Sequence, residues 1–250
     1  MELTTFLIVC PMVFLAGFVD AIGGGGGLIS LPAYIIAGVP VHAAVATNKL
    51  SSATGTAIST IRLCKHSKID FLLAVPAIVL AYIGSTVGAK CSMLISESVL
   101  QAVMLVILPV TAFFVIRKDA LSSEHSGEGS RKRKLIVAWA AAVIIGLYDG
   151  FYGPGTGTFY IIAFMSLAKM STMEAAVNTK LLNLTSNLAA LVTFLLHGQV
   201  WIVLGLTASV FSIAGHYIGS GLVLKSGSKI VKPIILIVLC LLFVKVITGA

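Results

Sequence analysis

The chain is built from long apolar runs that are separated by short polar stretches. A run of about 20 apolar residues is long enough to cross a membrane as a helix. The runs predict four such segments in each half of the chain: 5–36, 41–62, 70–89 and 99–116, then 135–168, 172–196, 200–223 and 231–248. They lack the alternation of a transmembrane β-barrel. The predicted fold class is therefore an all-α polytopic membrane protein with about eight transmembrane helices.

The first segment of each half is too long for a single helix of ordinary length. Residues 5–36 would extend about 48 Å as one helix, whereas the hydrocarbon core is about 30 Å thick. Five consecutive glycines, Gly23 to Gly27, interrupt this segment, and each weakens a helix by about 1 kcal/mol relative to alanine. Two arrangements fit: a broken, tilted crossing, or a crossing followed by a short half-helix over residues 28–37.

The two halves of the chain resemble each other. Gly17-x-x-Asp20, followed by Gly24 and Gly26, matches Gly146-x-x-Asp149, followed by Gly153 and Gly155, 129 positions later. Thr47-Asn48-Lys49 matches Asn178-Thr179-Lys180 at an offset of 131, with the first two residues exchanged. The predicted organisation is a first transmembrane repeat over 1–116, a cytoplasmic basic linker over 117–134 and a second repeat over 135–250. Within the second repeat, His216 lies inside a span and falls opposite Ser85.

Orientation depends on how the interrupted segments are counted. One crossing each gives both halves the same orientation and places the linker and both termini in the cytoplasm. On this count ten basic residues lie inside and five outside, which agrees with the positive-inside rule. If each interrupted segment counts as two short elements, the repeats become inverted, and the sequence allows that arrangement too.

Composition narrows the chemistry. Of the 250 residues 58% are apolar and only 10% charged, against about 25% charged in a soluble domain. The four cysteines are scattered singly, which predicts neither a metal site nor a redox pair. The net charge of +8 is explained by membrane orientation rather than by nucleic acid. No catalytic motif is found, so we expect no enzyme, no cofactor and no metal.

Four charged residues lie deep within the apolar segments: Asp20 and Asp149 among nine acidic residues, and Lys49 and Lys180 among 17 basic ones. Each charge at bilayer depth costs about 2.5–3.5 kcal/mol unless it is paired or hydrated. One hypothesis is that the lysines and the backbone N–H groups of the glycine breaks face one central cavity. An alternative is that the lysines pair with the aspartates and only lock helices together.

The first hypothesis suits an anion, since glycine permits close backbone approach and a helix N-terminus attracts negative charge. Polar residues on the same helix faces as the lysines extend the predicted site. The residues predicted to bind substrate are Lys49, Lys180, Asn48, Asn178, Thr179, Gly24, Gly25, Gly26, Gly153, Gly155, Ser52 and Asn183. Asp20 and Asp149 are predicted to couple transport to protons or to act as a gate.

The doubled motif resembles the two repeats of the sulfite exporter TauE/SafE family, also called the toluene sulfonate uptake permeases. The resemblance rests on residues 17–28 and 46–49 in the first half, and on 146–158 and 178–180 in the second. It implies a secondary transporter of the bacterial or archaeal inner membrane, with sulfite, sulfonates or other small organic anions as substrates. The exchanged order in Asn178-Thr179-Lys180 indicates that the two halves are not equivalent.

The expected function is therefore transport of a small anion that binds near the midplane between the repeats, with protons as a candidate coupling ion. The expected partners are this anion and the lipid bilayer, with no nucleic acid. Two other interpretations stay open: a passive anion channel lined by the same residues, and a membrane accessory subunit that transports nothing.

Overall fold

The computed structural model describes residues 2–67, 69–100, 102, 103, 106 and 129–226, which form helices joined by short connections. A π-helical turn, Ala163–Leu167, directly follows the helix Thr156–Ile162. The predicted spans 99–116 and 231–248, and most of the predicted linker, lie largely or wholly outside the described residues. The helices are α1 (Leu3–Gly23), α2 (Gly27–Ile36), α3 (Val41–Cys64), α4 (Phe71–Leu94), α5 (Arg131–Phe151), α6 (Thr156–Ile162), α7 (Thr172–Leu196) and α8 (Ile202–Ser226).

Capping side chains explain where three of these helices begin. The Asp70 carboxylate accepts a hydrogen bond from the Leu72 N–H at 3.0 Å and starts α4. The hydroxyls of Ser130 and Ser171 accept in the same way at the starts of α5 and α7. Such caps satisfy N–H groups that have no partner within the helix. Because Ser130 caps α5, the basic residues 131–134 belong to this helix and not to the linker.

In the part of the chain that the structure describes, five helices are long and apolar enough to cross a membrane: α1, α4, α5, α7 and α8. Helix α3 has a similar length of 24 residues but carries a polar face. It packs against α1, α2, α7 and α8. A helix enclosed in this way can carry polar groups that a lipid-facing helix cannot.

Helix α2 folds back along α1 instead of extending it. The Thr5 hydroxyl, near the start of α1, donates to the Ala37 carbonyl just after α2 at 3.4 Å. Gly24 and Gly25 have φ angles of 74° and 92°, which only glycine adopts readily. The glycine run therefore reverses the chain, and the second expected arrangement, a long helix followed by a half-helix, is the one observed.

The second interrupted segment has the same form. Gly153 and Gly155 have φ angles of 100° and 86°. The Arg133 side chain, at the start of α5, donates from Nε to the Leu167 carbonyl at 2.6 Å, at the end of the π-helical turn. Helix α6 with its π-helical turn thus runs back along α5 to the end where α5 began.

The two halves enter the helix bundle from opposite ends. Helices α1 and α3 begin at one end, because the chain returns to the start of α1 at Ala37 and α3 follows at Val41. Helix α5 begins at the other end. There Arg131 Nη2 lies 3.6 Å from Oδ2 of Asp70, the residue that starts α4. Each broken segment returns to its own starting end and adds no net crossing, which corresponds to counting it as two short elements.

Packing connects the halves crosswise. Helix α1 packs against α8, and α4 packs against α5. Glycines allow the close approach: a Cβ on Gly88 would lie 2.0 Å from the Leu147 carbonyl oxygen, and one on Gly215 would lie 2.2 Å from that of Phe14. Small residues at such interfaces are typical of membrane helices.

Basic residues of the described chain are concentrated at the end where α3 finishes and α5 begins. Lys169 belongs to this end, because its carbonyl accepts from the Gly129 N–H at 3.3 Å. Lys90 lies at the opposite end, near Ser92, whose carbonyl is 3.0 Å from the His42 ring. The basic residues at the first end are Arg62, Lys65, Arg131, Lys132, Arg133, Lys134 and Lys169.

This geometry predicts that the start of α1 and the end of α3 lie on opposite sides of the membrane. We expect an impermeant maleimide to label only one of Glu2→Cys and Lys65→Cys in intact cells, each in a background with the four native cysteines replaced. Both positions should react after permeabilisation. Labelling of both from the same side would contradict the fold.

Candidate functional site

The four buried charges form two ion pairs, and each pair joins the two halves. Lys49 Nζ lies 2.9 Å from Asp149 Oδ1, and Lys180 Nζ lies 3.0 Å from Asp20 Oδ2. The Lys49–Asp149 pair is the more deeply buried, with side chains 2% and 3% exposed. Pairing offsets the cost of burying each charge. The lysine of each half is thus neutralised by the aspartate of the other.

Asp20 has protein donors on both carboxylate oxygens. The Gly26 N–H, at the start of α2, donates to Oδ1 at 3.2 Å. His216 Nε2, from α8, lies 3.3 Å from Oδ2, the oxygen that also pairs with Lys180. Lys180 Nζ also donates to the Asp20 backbone carbonyl. The start of a half-helix here already holds a carboxylate, as its dipole favours.

Asp149 is bound differently. The Thr156 hydroxyl donates to Oδ1 at 2.7 Å, the same oxygen that pairs with Lys49. Asp149 Oδ2 is buried and accepts no hydrogen bond from the described residues, and the same holds for Asn48 Oδ1. A buried acceptor without a donor is unfavourable by about 1–3 kcal/mol. These two oxygens are therefore available to a bound donor.

The two glycine breaks touch each other at the centre of the bundle. A Cβ on Gly24 would lie 2.5 Å from the Thr158 nitrogen and 2.8 Å from the Gly157 Cα. The Thr158 hydroxyl donates to the Gly23 carbonyl at 3.2 Å. Gly24 is thus needed where one backbone crosses another, and it does not line the cavity.

A small polar cavity lies beside the breaks and between the two halves. The centre of a water molecule can occupy about 30 Å³ of this cavity. On the same scale, one water molecule needs about 10–15 Å³. This conformation thus has room for two or three waters, and a larger solute requires it to open. The lining residues are Val13, Ala16, Gly17, Asp20, Gly26, Gly27, Ser30, Asn48, Lys49, Ser51, Ser52, Thr56, Asp149, Gly153, Gly155, Thr156, Gly157, Asn183, Asn187, Ser212 and His216.

Most of the residues singled out from the sequence meet at this cavity. Those that line it are Asp20, Gly26, Asn48, Lys49, Ser52, Asp149, Gly153, Gly155 and Asn183. Those that do not are Gly24, Gly25, Asn178, Thr179 and Lys180. Lys180 is turned to Asp20, and the Asn178 amide donates to the Glu174 carbonyl at 2.9 Å. The two Lys-containing motifs are therefore not equivalent in geometry, and a binding role stays a prediction for every one of these residues.

Sequence reasoning assigned no role to several polar residues of the site. Thr156 follows the second glycine break, and its hydroxyl bridges Asp149 and the Gly153 carbonyl. His216 lines the cavity and contacts Asp20. The available signal was position: His216 is a histidine inside an apolar span with a serine at the matching place in the other half.

The arrangement favours charge exchange over covalent chemistry. Lys49 is the lysine that faces the cavity, and one carboxylate neutralises it. An anion that enters can compete with Asp149 for this ammonium group. Among the described residues no group of three or more His, Cys, Asp or Glu side chains could hold a metal ion.

Fold and site together define a multi-pass membrane protein whose two halves enclose buried, crossed ion pairs, a class to which many membrane transporters belong. Comparison with known proteins gives the family. The model of the family described as "Sulfite exporter TauE/SafE" matches residues 9–246. The chain belongs to this family of membrane transporters.

Individual relatives agree with this assignment. The chain is 32% identical over 248 residues to "Probable membrane transporter protein ORF9" of Sinorhizobium sp., covering 99% of this chain and 94% of the relative. It is 33% identical over 239 residues to "Probable membrane transporter protein YfcA" of Escherichia coli strain K12, covering 94% and 87%. A "Probable membrane transporter protein" of Haemophilus influenzae is 29% identical over 238 residues, covering 94% and 91%. No solved structure matches the chain.

The contact between the breaks predicts a large effect of a methyl group at Gly24. Gly24→Ala and Gly38→Ala both place alanine at a positive φ, 74° and 82°, and Gly24 in addition has a ψ of 172°, a combination that essentially only glycine adopts. A Cβ on Gly38 has no atom of the described residues within 4 Å. We therefore expect Gly24→Ala to destabilise the protein by about 1–3 kcal/mol more than Gly38→Ala does, because alanine at Gly24 is both strained and overpacked.

Thermal unfolding of the two variants in the same detergent measures this difference. Equal melting temperatures for Gly24→Ala and Gly38→Ala would show that the breaks do not press against each other.

Proposed function

We propose that this protein is a secondary transporter of small anions, namely sulfite, sulfonates or related organic anions. The substrate binds at Lys49, between the two halves and near the midplane of the membrane. One observation carries the proposal: Lys49 lines the cavity and is neutralised there by one carboxylate, Asp149. A sulfite or sulfonate oxygen offers the same charge-assisted hydrogen bond as that carboxylate.

Binding then opens the Lys49–Asp149 pair, and the pair acts as a gate. Neutral donors complete the site, since the side chains of Ser52 and Asn183 line the same cavity. Lys180 contributes in a conformation in which its pair with Asp20 is open. Because the cavity has room for two or three waters, a sulfonate with a bulky substituent needs the halves to separate further.

The released Asp149 carboxylate stays buried without its cation, which is unfavourable. Uptake of a proton removes that charge. Asp20 and Asp149 are thus candidates to couple anion movement to protons, and no donor among the described residues occupies Asp149 Oδ2.

The halves act as inverted repeats, as in many secondary transporters. Their opposite entry into the bundle supports this arrangement. The concentration of basic residues beside the starts of α4 and α5 supports a cytoplasmic position for that end, in a bacterial inner membrane, by the positive-inside rule. The start of α1 then faces outward, in contrast to the cytoplasmic N-terminus expected from eight crossings in one orientation.

The first experiment compares Lys49→Ala with Lys90→Ala in proteoliposomes. Lys90 is an exposed lysine of α4 that lies outside the cavity, so its variant controls for loss of a positive charge. Removing one partner of a buried charge pair costs about 2–5 kcal/mol. We expect Lys49→Ala to raise the concentration of sulfite or methanesulfonate that gives half-maximal transport by about 30-fold or more. Lys90→Ala should behave like the wild type.

Lys180→Ala is expected to lower the maximal rate of transport. It should change the half-saturating anion concentration less than Lys49→Ala does, because Lys180 does not line the cavity. Unchanged sulfite and methanesulfonate transport in Lys49→Ala would overturn the proposed site. Counterflow of labelled anion separates a transporter from a passive channel. An anion panel that leaves both flux and melting temperature unchanged would favour the accessory-subunit interpretation.

A second experiment tests whether Asp149 competes with the substrate. Asp149→Asn frees Lys49, so we expect methanesulfonate to raise the melting temperature of this variant at several-fold lower concentrations than in the wild type. Asp20→Asn is the matched control, because its lysine does not face the cavity. Weaker methanesulfonate binding in Asp149→Asn than in Asp20→Asn would contradict the gate. If the pH profile of uptake is unchanged in both variants, neither carboxylate takes part in proton coupling.

A further inference from the structure

His216 occupies a site that is built around its imidazole ring. The side chain is 2% exposed within α8 and lines the cavity. Its Nδ1 lies 3.0 Å from the Ser212 carbonyl oxygen, and its Nε2 lies 3.3 Å from Asp20 Oδ2. Both oxygens are acceptors, and only a ring with protons on both nitrogens can donate to both. The Ser212 hydroxyl, the alternative partner of Nδ1, is at 3.5 Å, the outer limit for a hydrogen bond.

Two glycines on neighbouring helices make room for this ring. A Cβ on Gly17 of α1 would lie 2.7 Å from His216 Nδ1, and a Cβ on Gly55 of α3 would lie 2.4 Å from the same atom. Any other residue at either position would displace the imidazole. The two glycines therefore leave the space in which the ring lies against Asp20.

The other half lacks this arrangement. At the offset of 131, Ser85 stands for His216 and Ser186 stands for Gly55. The Ser85 hydroxyl donates to the Ser186 carbonyl at 2.6 Å. A titratable ring therefore accompanies the Asp20–Lys180 pair, whereas a neutral hydroxyl–carbonyl contact takes the matching place beside the Lys49–Asp149 pair.

The charged groups around His216 come from four other helices. Helix α1 presents Asp20, and Lys180 of α7 lies on the same carboxylate. Lys49 of α3 and Asp149 of α5 face the same cavity and neutralise each other. Arg62, further along α3, is bound to the Tyr217 carbonyl and to the Ser220 hydroxyl and stacks over the Tyr217 ring.

We infer that His216 is the proton-binding residue that couples anion transport to the pH gradient, with one proton per anion. The inference rests on the proposed function and assigns its coupling step to this ring. The proton enters from water in the cavity, is held between the ring and Asp20, and leaves to water when the site faces the other side. No other bond forms or breaks. When the ring is neutral it keeps a proton on one nitrogen, so it can donate to Asp20 or to the Ser212 carbonyl but not to both.

The test uses methanesulfonate in proteoliposomes, because this sulfonate stays a monoanion across the working pH range. One proton per monoanion predicts about tenfold accumulation of methanesulfonate for each unit of imposed pH difference. One pH unit and a tenfold concentration ratio of the anion each correspond to about 1.4 kcal/mol. His216→Gln keeps an amide donor near Asp20 but cannot titrate. We expect this variant to retain methanesulfonate counterflow and to lose accumulation driven by pH.

Two further variants make the test decisive. His197→Gln removes an exposed histidine at the end of α7 and should accumulate like the wild type. His216→Ser introduces the residue that the other half carries at this place and should lose accumulation like His216→Gln, which guards against a variant that fails to fold.

The outcomes separate this inference from the proposed function. Accumulation driven by pH in either folded His216 variant at the wild-type level would overturn the inference while leaving anion transport intact. Wild-type counterflow without any response to the pH gradient would overturn it as well. Absence of saturable exchange in the wild type would instead overturn the proposed function, and this inference with it.

Discussion

Two ion pairs buried in an apolar bundle are the constraint on which the rest of the structure depends. A lone charge at this depth is costly, and truncating one partner leaves the other unpaired. Here each lysine is neutralised by the aspartate of the opposite half. The pairs therefore hold the halves together in the observed conformation, and any motion that separates the halves must replace a partner. An anion at Lys49 and a proton near Asp20 are replacements of the right charge.

The glycine breaks make this pairing geometrically possible. A continuous helix would carry the residues that follow Gly23 away from Asp20. The reversal at Gly24 and Gly25 instead returns α2 along α1 and places the Gly26 N–H on the Asp20 carboxylate. The breaks cross at Gly24 and Gly157, where backbone meets backbone with no room for a side chain. Glycine serves here to let two chain segments touch, more than to let a ligand approach.

The two halves share an architecture but differ in chemistry. Lys49 faces the cavity and pairs with Asp149, whose Oδ2 accepts no hydrogen bond from the described residues. Lys180 pairs with Asp20, whose two carboxylate oxygens both accept hydrogen bonds. His216 and Gly55 on one side are matched by Ser85 and Ser186 on the other. Duplication alone would give two equal sites. On the proposed function, this divergence separates a lysine that exchanges partners with an anion from a histidine that holds a proton.

The sequence by itself determined the membrane class, the interrupted segments, the doubled motif and the four buried charges, because hydropathy, glycine runs and charge in apolar surroundings are local properties. It also predicted one cavity for Lys49 and Lys180, with Asp20 and Asp149 beside it, and of these four residues all but Lys180 line the cavity. It could not choose between a continued and a returning half-helix, since that depends on backbone reversal at Gly24 and Gly25. The orientation of the halves and the choice of Asp149 as the partner of Lys49 followed from that reversal. Only the tertiary structure turned Lys180 away from the cavity and brought His216 to Asp20, because these contacts join α1 to α7 and α8 across most of the chain.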